Sequence, residues 1–121
     1  MFNTMTQDAR SFLPLKPLVF QVLLSLSAGE RHGWSLVREI QQAGAGARVL
    51  PANFYRTLRG MLADGLIEET EAKRAVDDDE RRRYFRLTPL GSDAARLEAR
   101  RLHELVADTR TKRLLSSRLR H

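Results

Sequence analysis

A helix over residues 17–26 would be apolar on most of its sides, because Gln21 and Ser25 are the polar residues of the segment PLVFQVLLSL. Pro17 suits the first turn of a helix, where its missing N–H has no partner to lose, and Gly29 stands just past the end. Such a helix is stable only when other elements cover it on several sides. The sequence therefore predicts a central helix around which the remaining elements pack.

Two further helices are predicted by apolar residues at helical spacing. The second ends at Ala43-Gly44, and the third begins with Leu50-Pro51 and stops at Asp64-Gly65. The apolar positions are Trp34, Leu36, Val37 and Ile40 in the second helix and Phe54, Leu58, Met61 and Leu62 in the third. Each helix therefore has one face to bury against the rest of the chain.

Beyond Gly65 the apolar spacing changes from helical to strand-like. Residues 66–72 and 81–87 predict two strands, and the polar segment 73–80 between them predicts a hairpin with a long, charged tip. Thr88 and Pro89 then predict the N-cap and the first residue of a last helix, whose basic end, residues 110–121, is expected to fray. The apolar stripe of this helix comprises Leu90, Ala94, Leu97, Leu102, Leu105 and Val106.

This element order predicts a mainly α fold with a small β-hairpin. It is the order of a winged helix-turn-helix, at residues 13–88, followed by a long C-terminal dimerisation helix, at residues 89–121. The stripe of the last helix has nothing else of its own to cover in a chain of 121 residues, so a second copy is its expected partner. The predicted dimer contacts are Leu97, Leu102, Leu105 and Val106.

The face of the third helix opposite its apolar stripe is the predicted DNA-reading surface. It combines small residues with Arg56 and Arg59, and Asn53 and Tyr55 flank it. Small residues let DNA come close, arginine reaches guanine edges or phosphates, and asparagine pairs with adenine. Exposed arginines are common on any helix, and Tyr55 also suits a place at the edge of the core.

The charge of the chain is positive and unevenly distributed. The formal net charge is +6, but residues 66–80 carry seven acidic and two basic side chains, whereas residues 81–121 carry four acidic and twelve basic ones. A basic chain attracts polyanions, although the two blocks can also neutralise each other on the folded surface. Arg81 and Arg82 are predicted to contact phosphates from the end of the hairpin. The alternative is that outer-face residues of this strand, such as Arg82 and Arg86, pair with glutamates of the facing strand.

Several function classes find no support in the sequence. There is no cysteine, the three histidines are scattered, and no phosphate-binding loop or Ser-His-Asp context is present, so we expect neither an enzyme nor a metal or other cofactor. The N-terminus lacks an apolar run, which predicts a cytoplasmic protein without a membrane anchor. Residues 89–121 contain no Phe, Tyr or Trp. A stacking platform for a ligand would have to come from Trp34, Phe12 or Phe20, which suit the core better.

A set of short motifs, in this order and spacing, resembles the PadR family of bacterial transcriptional regulators from about residue 13 to residue 110. The motifs are Leu15-Lys16-Pro17 with Phe20, Leu23-Leu24, Gly29-Glu30, His32-Gly33-Trp34, Leu50-Pro51 with Phe54-Tyr55-Arg56 and Leu58, Asp64-Gly65-Leu66-Ile67-Glu68, and the run from Asp79 to Thr88 with Gly91. Trp34 stands where the family usually has tyrosine, and Ala52-Asn53 replaces the commoner Gly-Thr.

The resemblance implies a homodimeric winged-helix repressor that binds double-stranded DNA. Its third helix would enter the major groove, its wing would touch the DNA backbone, and its last helix would exchange contacts with the partner subunit. Members of such families often sense flat, hydrophobic effectors between the subunits. The alternative function is a protein interaction module without direct sequence readout, because the winged-helix fold supports many functions.

Overall fold

Five α-helices, three short strands and a 3-10 turn make up the part of the chain that the computed structural model describes, residues 8–43, 51–70 and 83–117. The elements are the 3-10 turn Ala9–Phe12, α1 Pro17–Leu26, β1 Arg31–His32, α2 Gly33–Ala43, α3 Pro51–Ala63, β2 Ile67–Glu69, β3 Tyr84–Leu87, α4 Pro89–Ala107 and α5 Thr109–Ser116. This order confirms the mainly helical winged-helix fold.

The predicted central position of α1 is confirmed by its contacts and burial. Helices α2, α3 and α4 and strand β3 all pack against it, and the side chains of Val22 and Leu23 are completely buried. The predicted ends of α1 and α3 are also confirmed, because Gly29 and Gly65 follow these helices with φ angles of 139° and 79°. Glycine adopts such angles without the steric cost that other residues meet.

The sheet has one strand more than the sequence predicted. Strand β3 pairs with β2 and also with β1, giving the antiparallel order β1-β3-β2. Strand β1 contains only Arg31 and His32, and two residues are too few to show an alternating pattern. The strand forms because the turn after α1 places these residues beside Phe85 and Tyr84. Thr70 and Arg83 lie outside the two hairpin strands, whereas the sequence predicted that they belong to them. Residues 71–82, which contain the predicted tip, lie outside the described residues.

Two cross-strand ion pairs join the described parts of the hairpin. Arg86 donates to Glu68 over 2.8 Å, and Arg83 donates to Glu69 over 3.0 Å. The Arg86 pair confirms that an outer-face arginine of this strand is held by a glutamate of the facing strand. Partly exposed pairs of this kind add little to stability. Their main consequence is that these two arginines already have acidic partners.

The last helix is divided, which corrects the expectation of a single helix with a fraying end. Helix α4 ends at Ala107, and Asp108 adopts an extended backbone conformation with φ −61° and ψ 136°. The Asp108 side chain accepts a hydrogen bond from the backbone N–H of Arg110 over 2.7 Å and thereby caps α5. The Arg110 guanidinium, which also donates to Asp108, lowers the pKa of this carboxyl.

The first half of α4 belongs to the core of its own chain. Ala94 is completely buried, Leu97 is partly buried against the core, and α4 packs on both α1 and the 3-10 turn. The expectation that the stripe of the last helix has nothing of its own to cover is therefore wrong for its first turns. Because Leu97 is part of this packing, a smaller part of its side chain is available to a second subunit than is the case for residues further along α4. The domain boundary at residues 88–89 remains a prediction.

A buried carboxylate ties α4 to the segment that precedes α1. Glu98 is only 2% exposed, accepts two hydrogen bonds from the Arg101 guanidinium over 2.8 and 2.7 Å, and also accepts one from the backbone N–H of Leu15. The Arg101 hydrogen bond lowers the pKa of Glu98 although burial acts to raise it. A charged group buried at this point needs all of these partners, so the contact specifies how α4 lies on the core.

Candidate nucleic-acid interface

Helix α3 is anchored by one face and exposes the other, as predicted. Phe54 and Leu58 are completely buried and Met61 is 2% exposed. The opposite face is solvent-exposed and consists of Ala52, Asn53, Arg56, Arg59, Gly60 and Ala63. A helix held in this way presents its outer side chains in a fixed orientation, which is the condition for reading base edges.

Asn53 and Arg56 form a polar pair on this exposed face. The Arg56 guanidinium Nη1 donates a hydrogen bond to Asn53 Oδ1 over 3.0 Å. A guanidinium carries five N–H donors, so this contact leaves Arg56 able to donate to a second acceptor. The pair brings together two side chains that the sequence assigned separately to base recognition.

The other two α3 candidates differ in exposure. Tyr55 is half-buried, packs against the core and meets the Phe54 ring edge-on with the ring centroids 5.1 Å apart. This packing agrees with the alternative role of Tyr55 at the edge of the core. Arg59 is exposed and lies three residues after Arg56, one turn further along α3. Arg59 therefore lies on the same outer surface as the Asn53–Arg56 pair.

The wing candidates Arg81 and Arg82 lie outside the described residues. The nearest described arginine, Arg83, is paired with Glu69. The position of the base of the hairpin is nevertheless fixed, because β3 pairs with β1 on one side and with β2 on the other.

Comparison with known proteins assigns the chain to a family. The family model described as "Transcriptional regulator PadR-like family" matches residues 22–97, which run from the second half of α1 through α2 and α3 into the first half of α4. The chain belongs to the PadR-like family. This confirms the resemblance seen in the sequence, and the members of this family are transcriptional regulators rather than enzymes.

Relatives of known sequence or structure agree with this membership. The transcriptional regulator Rv3488 of Mycobacterium tuberculosis is 34% identical over 87 residues, which are 72% of this chain and 77% of the relative. The structure of the complex hsRosR-S4 superposes with a TM-score of 0.66 at 27% identity and covers 91% of both chains. A PadR-like regulator of Bacillus cereus, BC4206, has a TM-score of 0.66 at 23% identity, covers 83% of this chain and 92% of its own, and supports the fold.

The exposed apolar residues of this PadR-like regulator concentrate at the end of the chain. Leu105 and Val106 of α4 are 48% and 53% exposed, and Leu114 and Leu115 of α5 are 71% and 70% exposed. Leu102 is half-buried. The stripe predicted for dimerisation therefore changes from covered to exposed along α4, and α5 carries two further exposed leucines.

An aromatic stack that sequence analysis missed joins α2 to the sheet. The His32 ring lies 3.9 Å from the Tyr84 ring and 5.8 Å from the Trp34 ring, measured between centroids, and the Arg38 guanidinium carbon lies 5.0 Å from the Trp34 ring. Trp34 is 40% exposed, which corrects the expectation that it belongs to the core. The sequence feature that could have indicated an exposed Trp34 is the polar outer face of α2, which includes Arg38 one turn after Trp34.

No group of three or more His, Cys, Asp or Glu side chains is placed to hold a metal ion in the described ranges. None of the helices described is both long enough and apolar enough to cross a membrane.

Proposed function

We propose that this PadR-like regulator binds double-stranded DNA in the cytoplasm as a homodimer, with α3 in the major groove, and represses transcription from an inverted-repeat operator. The observation that carries the proposal is the exposed Asn53–Arg56 pair on a helix whose opposite face is fixed in the core. The operator sequence has to come from experiment, because Ala52 and Asn53 depart from the family pattern at the start of this helix.

In this proposal the side chains divide into those that read bases and those that hold the backbone. Arg56 donates to the O6 and N7 atoms of a guanine, and Asn53 pairs with an adjacent adenine. Arg59, one turn further on, holds a phosphate, and Arg81 and Arg82 of the wing do the same. If a flat effector binds, Trp34 offers it an exposed stacking surface.

The first prediction separates base reading from general attraction to DNA. We expect Asn53→Ala or Arg56→Ala to weaken binding to the operator by about 1 to 3 kcal/mol, because each removes a contact to a base edge. Binding to a scrambled duplex should change much less. The measurement is selection of binding sites from a random DNA pool, followed by titration of the selected and scrambled duplexes at one salt concentration.

Arg100→Ala is the matched control for this experiment, because Arg100 is an exposed arginine on α4 rather than on α3. It should leave the preference for the selected sequence unchanged. Arg59→Ala should weaken both duplexes alike. Selected sites without two-fold symmetry, or equal losses on both duplexes for the Asn53 and Arg56 variants, would show that α3 is not the sequence-reading helix.

The dimer is proposed to form through the less covered part of the apolar stripe, which comprises half-buried Leu102 and exposed Leu105 and Val106, with Leu97 at its margin. Large exposed aliphatic side chains in consecutive turns are costly in water and are commonly covered by another subunit. Two copies related by a two-fold axis would present two α3 helices, and the half-sites would lie about one helical turn of DNA apart or a multiple of it.

The second prediction tests this interface. We expect Leu105→Glu combined with Val106→Glu to give a folded monomer in sedimentation experiments, because both side chains are exposed and the change places two carboxylates in the interface. Arg100→Glu is the control, since Arg100 lies on the side of α4 opposite Leu102 and should leave the dimer intact. A dimer that survives the double substitution would contradict the assignment.

A further inference from the structure

A groove of about 400 Å³ runs between the start of α1 and α3. Its apolar lining includes Phe12 and Val19, and its polar lining includes Lys16, Arg56 and Asp64, with Gly60 on the α3 side. Arg56 and Gly60 also belong to the exposed face of α3. The groove is therefore continuous with the surface proposed to enter the DNA major groove.

We infer that this groove receives the sugar–phosphate backbone of one DNA strand, with Lys16 as a phosphate contact and Gly60 as the point of closest approach. The inference rests on the proposed DNA-binding function and adds the path of the strand beside α3. Apolar side chains on the floor would pack against deoxyribose, and the Lys16 ammonium at the rim would face a phosphate.

Gly60 carries the steric part of this inference. It lies inside α3 and is exposed, and a Cβ atom added there would meet nothing within 4 Å. The packing of the chain therefore does not require glycine, although glycine inside a helix lowers stability relative to alanine. Open space beside a helical glycine lets an external group come close to the helix, and a DNA strand is the group that the neighbouring cations would attract.

Lys16 carries the electrostatic part. It is the exposed N-cap residue of α1, its side chain makes no capping hydrogen bond, and it forms no ion pair within the described part of the chain. The ammonium is thus not used by the fold. Asp64, which follows α3 and lies eight residues beyond Arg56, has the opposite charge. Phosphates would consequently lie nearer to Lys16 than to Asp64.

The test compares single variants of the full chain on the selected and the scrambled duplex over a range of salt concentrations. We expect Lys16→Ala to weaken both duplexes about tenfold and to reduce the slope of log affinity against log salt by about two, one phosphate for each subunit. Lys16→Arg should restore most of both quantities. Lys112→Ala, which removes an exposed lysine from α5, should leave the slope unchanged.

Gly60→Ala provides an independent readout. We expect the melting temperature to rise by about 3 °C, because alanine favours the helix, while affinity for both duplexes falls about fivefold. Asp64→Asn should strengthen both duplexes about twofold. A Gly60→Ala variant that is more stable than the parent but binds DNA less well would show that the DNA strand comes closest to α3 at Gly60.

The outcomes distinguish this inference from the function on which it rests. If the parent protein selects a DNA sequence but Lys16→Ala and Gly60→Ala bind as the parent does, the groove does not hold a DNA strand and the inference is wrong while the function stands. If the parent protein shows no salt-dependent DNA binding, both are wrong. A loss confined to the selected duplex would also contradict a backbone contact at Lys16.

Discussion

Affinity for the operator is expected to fall about 10³- to 10⁵-fold when the salt concentration rises from about 50 to about 200 mM. The estimate assumes that a dimer neutralises on the order of 6 to 10 phosphates, each of which releases condensed counterions on binding. The candidate phosphate contacts are Arg59 of α3, Arg81 and Arg82 of the wing, and Lys16. Titrations of one operator duplex at four or five salt concentrations measure the slope.

The wing arginines should contribute to this slope without affecting sequence preference. Replacing Arg81 and Arg82 with alanine is expected to weaken all duplexes together and to make the salt dependence shallower, because backbone contacts position the protein without reading bases. Arg86→Ala is the matched control on the same hairpin, since Arg86 is already paired with Glu68 over 2.8 Å. A flat salt response of the parent protein would argue against DNA as its partner.

Gly91→Ala is expected to destabilise the fold by about 3 kcal/mol or more. Gly91 lies in the first turn of α4, where a Cβ atom would overlap the carbonyl oxygen of Leu66 and lie 2.9 Å from its carbonyl carbon. Both atoms belong to the backbone, so no side-chain rotation can relieve the overlap. The same Leu66 carbonyl oxygen accepts hydrogen bonds from the backbone N–H and the hydroxyl of Thr88, which hold the two segments together.

Gly60→Ala is the control for this prediction, because it makes the same chemical change at a glycine with open space around it. It should stabilise the protein by about 1 kcal/mol, the difference between glycine and alanine inside a helix. Urea denaturation of the parent and both variants gives the free energies of unfolding. Equal changes for the two variants would show that the approach of α4 to Leu66 is not the constraint that we describe.

Local signals explain why the recognition helix could be predicted from sequence. The spacing of Phe54, Leu58 and Met61 determines which face of α3 is buried, and Gly65 determines where the chain turns away. Once the inner face is known, the outer positions of Asn53 and Arg56 follow from helix geometry. Their mutual hydrogen bond also follows from a separation of three residues, which places side chains on the same side of a helix.

Contacts between distant segments explain what the sequence did not predict. Strand β1 exists because Arg31 and His32 meet a strand more than fifty residues later, and two residues carry no periodicity of their own. Trp34 is exposed because α2 turns it outward beside His32 and Arg38, whereas its apolar character alone favoured the core. Composition and spacing describe one segment at a time, so they do not contain these pairings.

The sequence by itself determined the order of α1 to α4 and of the two hairpin strands, the caps and turns that bound most of them, and the face that α3 exposes, because these depend on interactions within a few residues. Only the tertiary structure decided that the first half of α4 is part of the core, through buried Ala94 and the contact of Glu98 with Leu15. It also placed Lys16 and Gly60 on the lining of one groove. These arrangements depend on which distant segments pack together, and burial and close approach are properties of that packing.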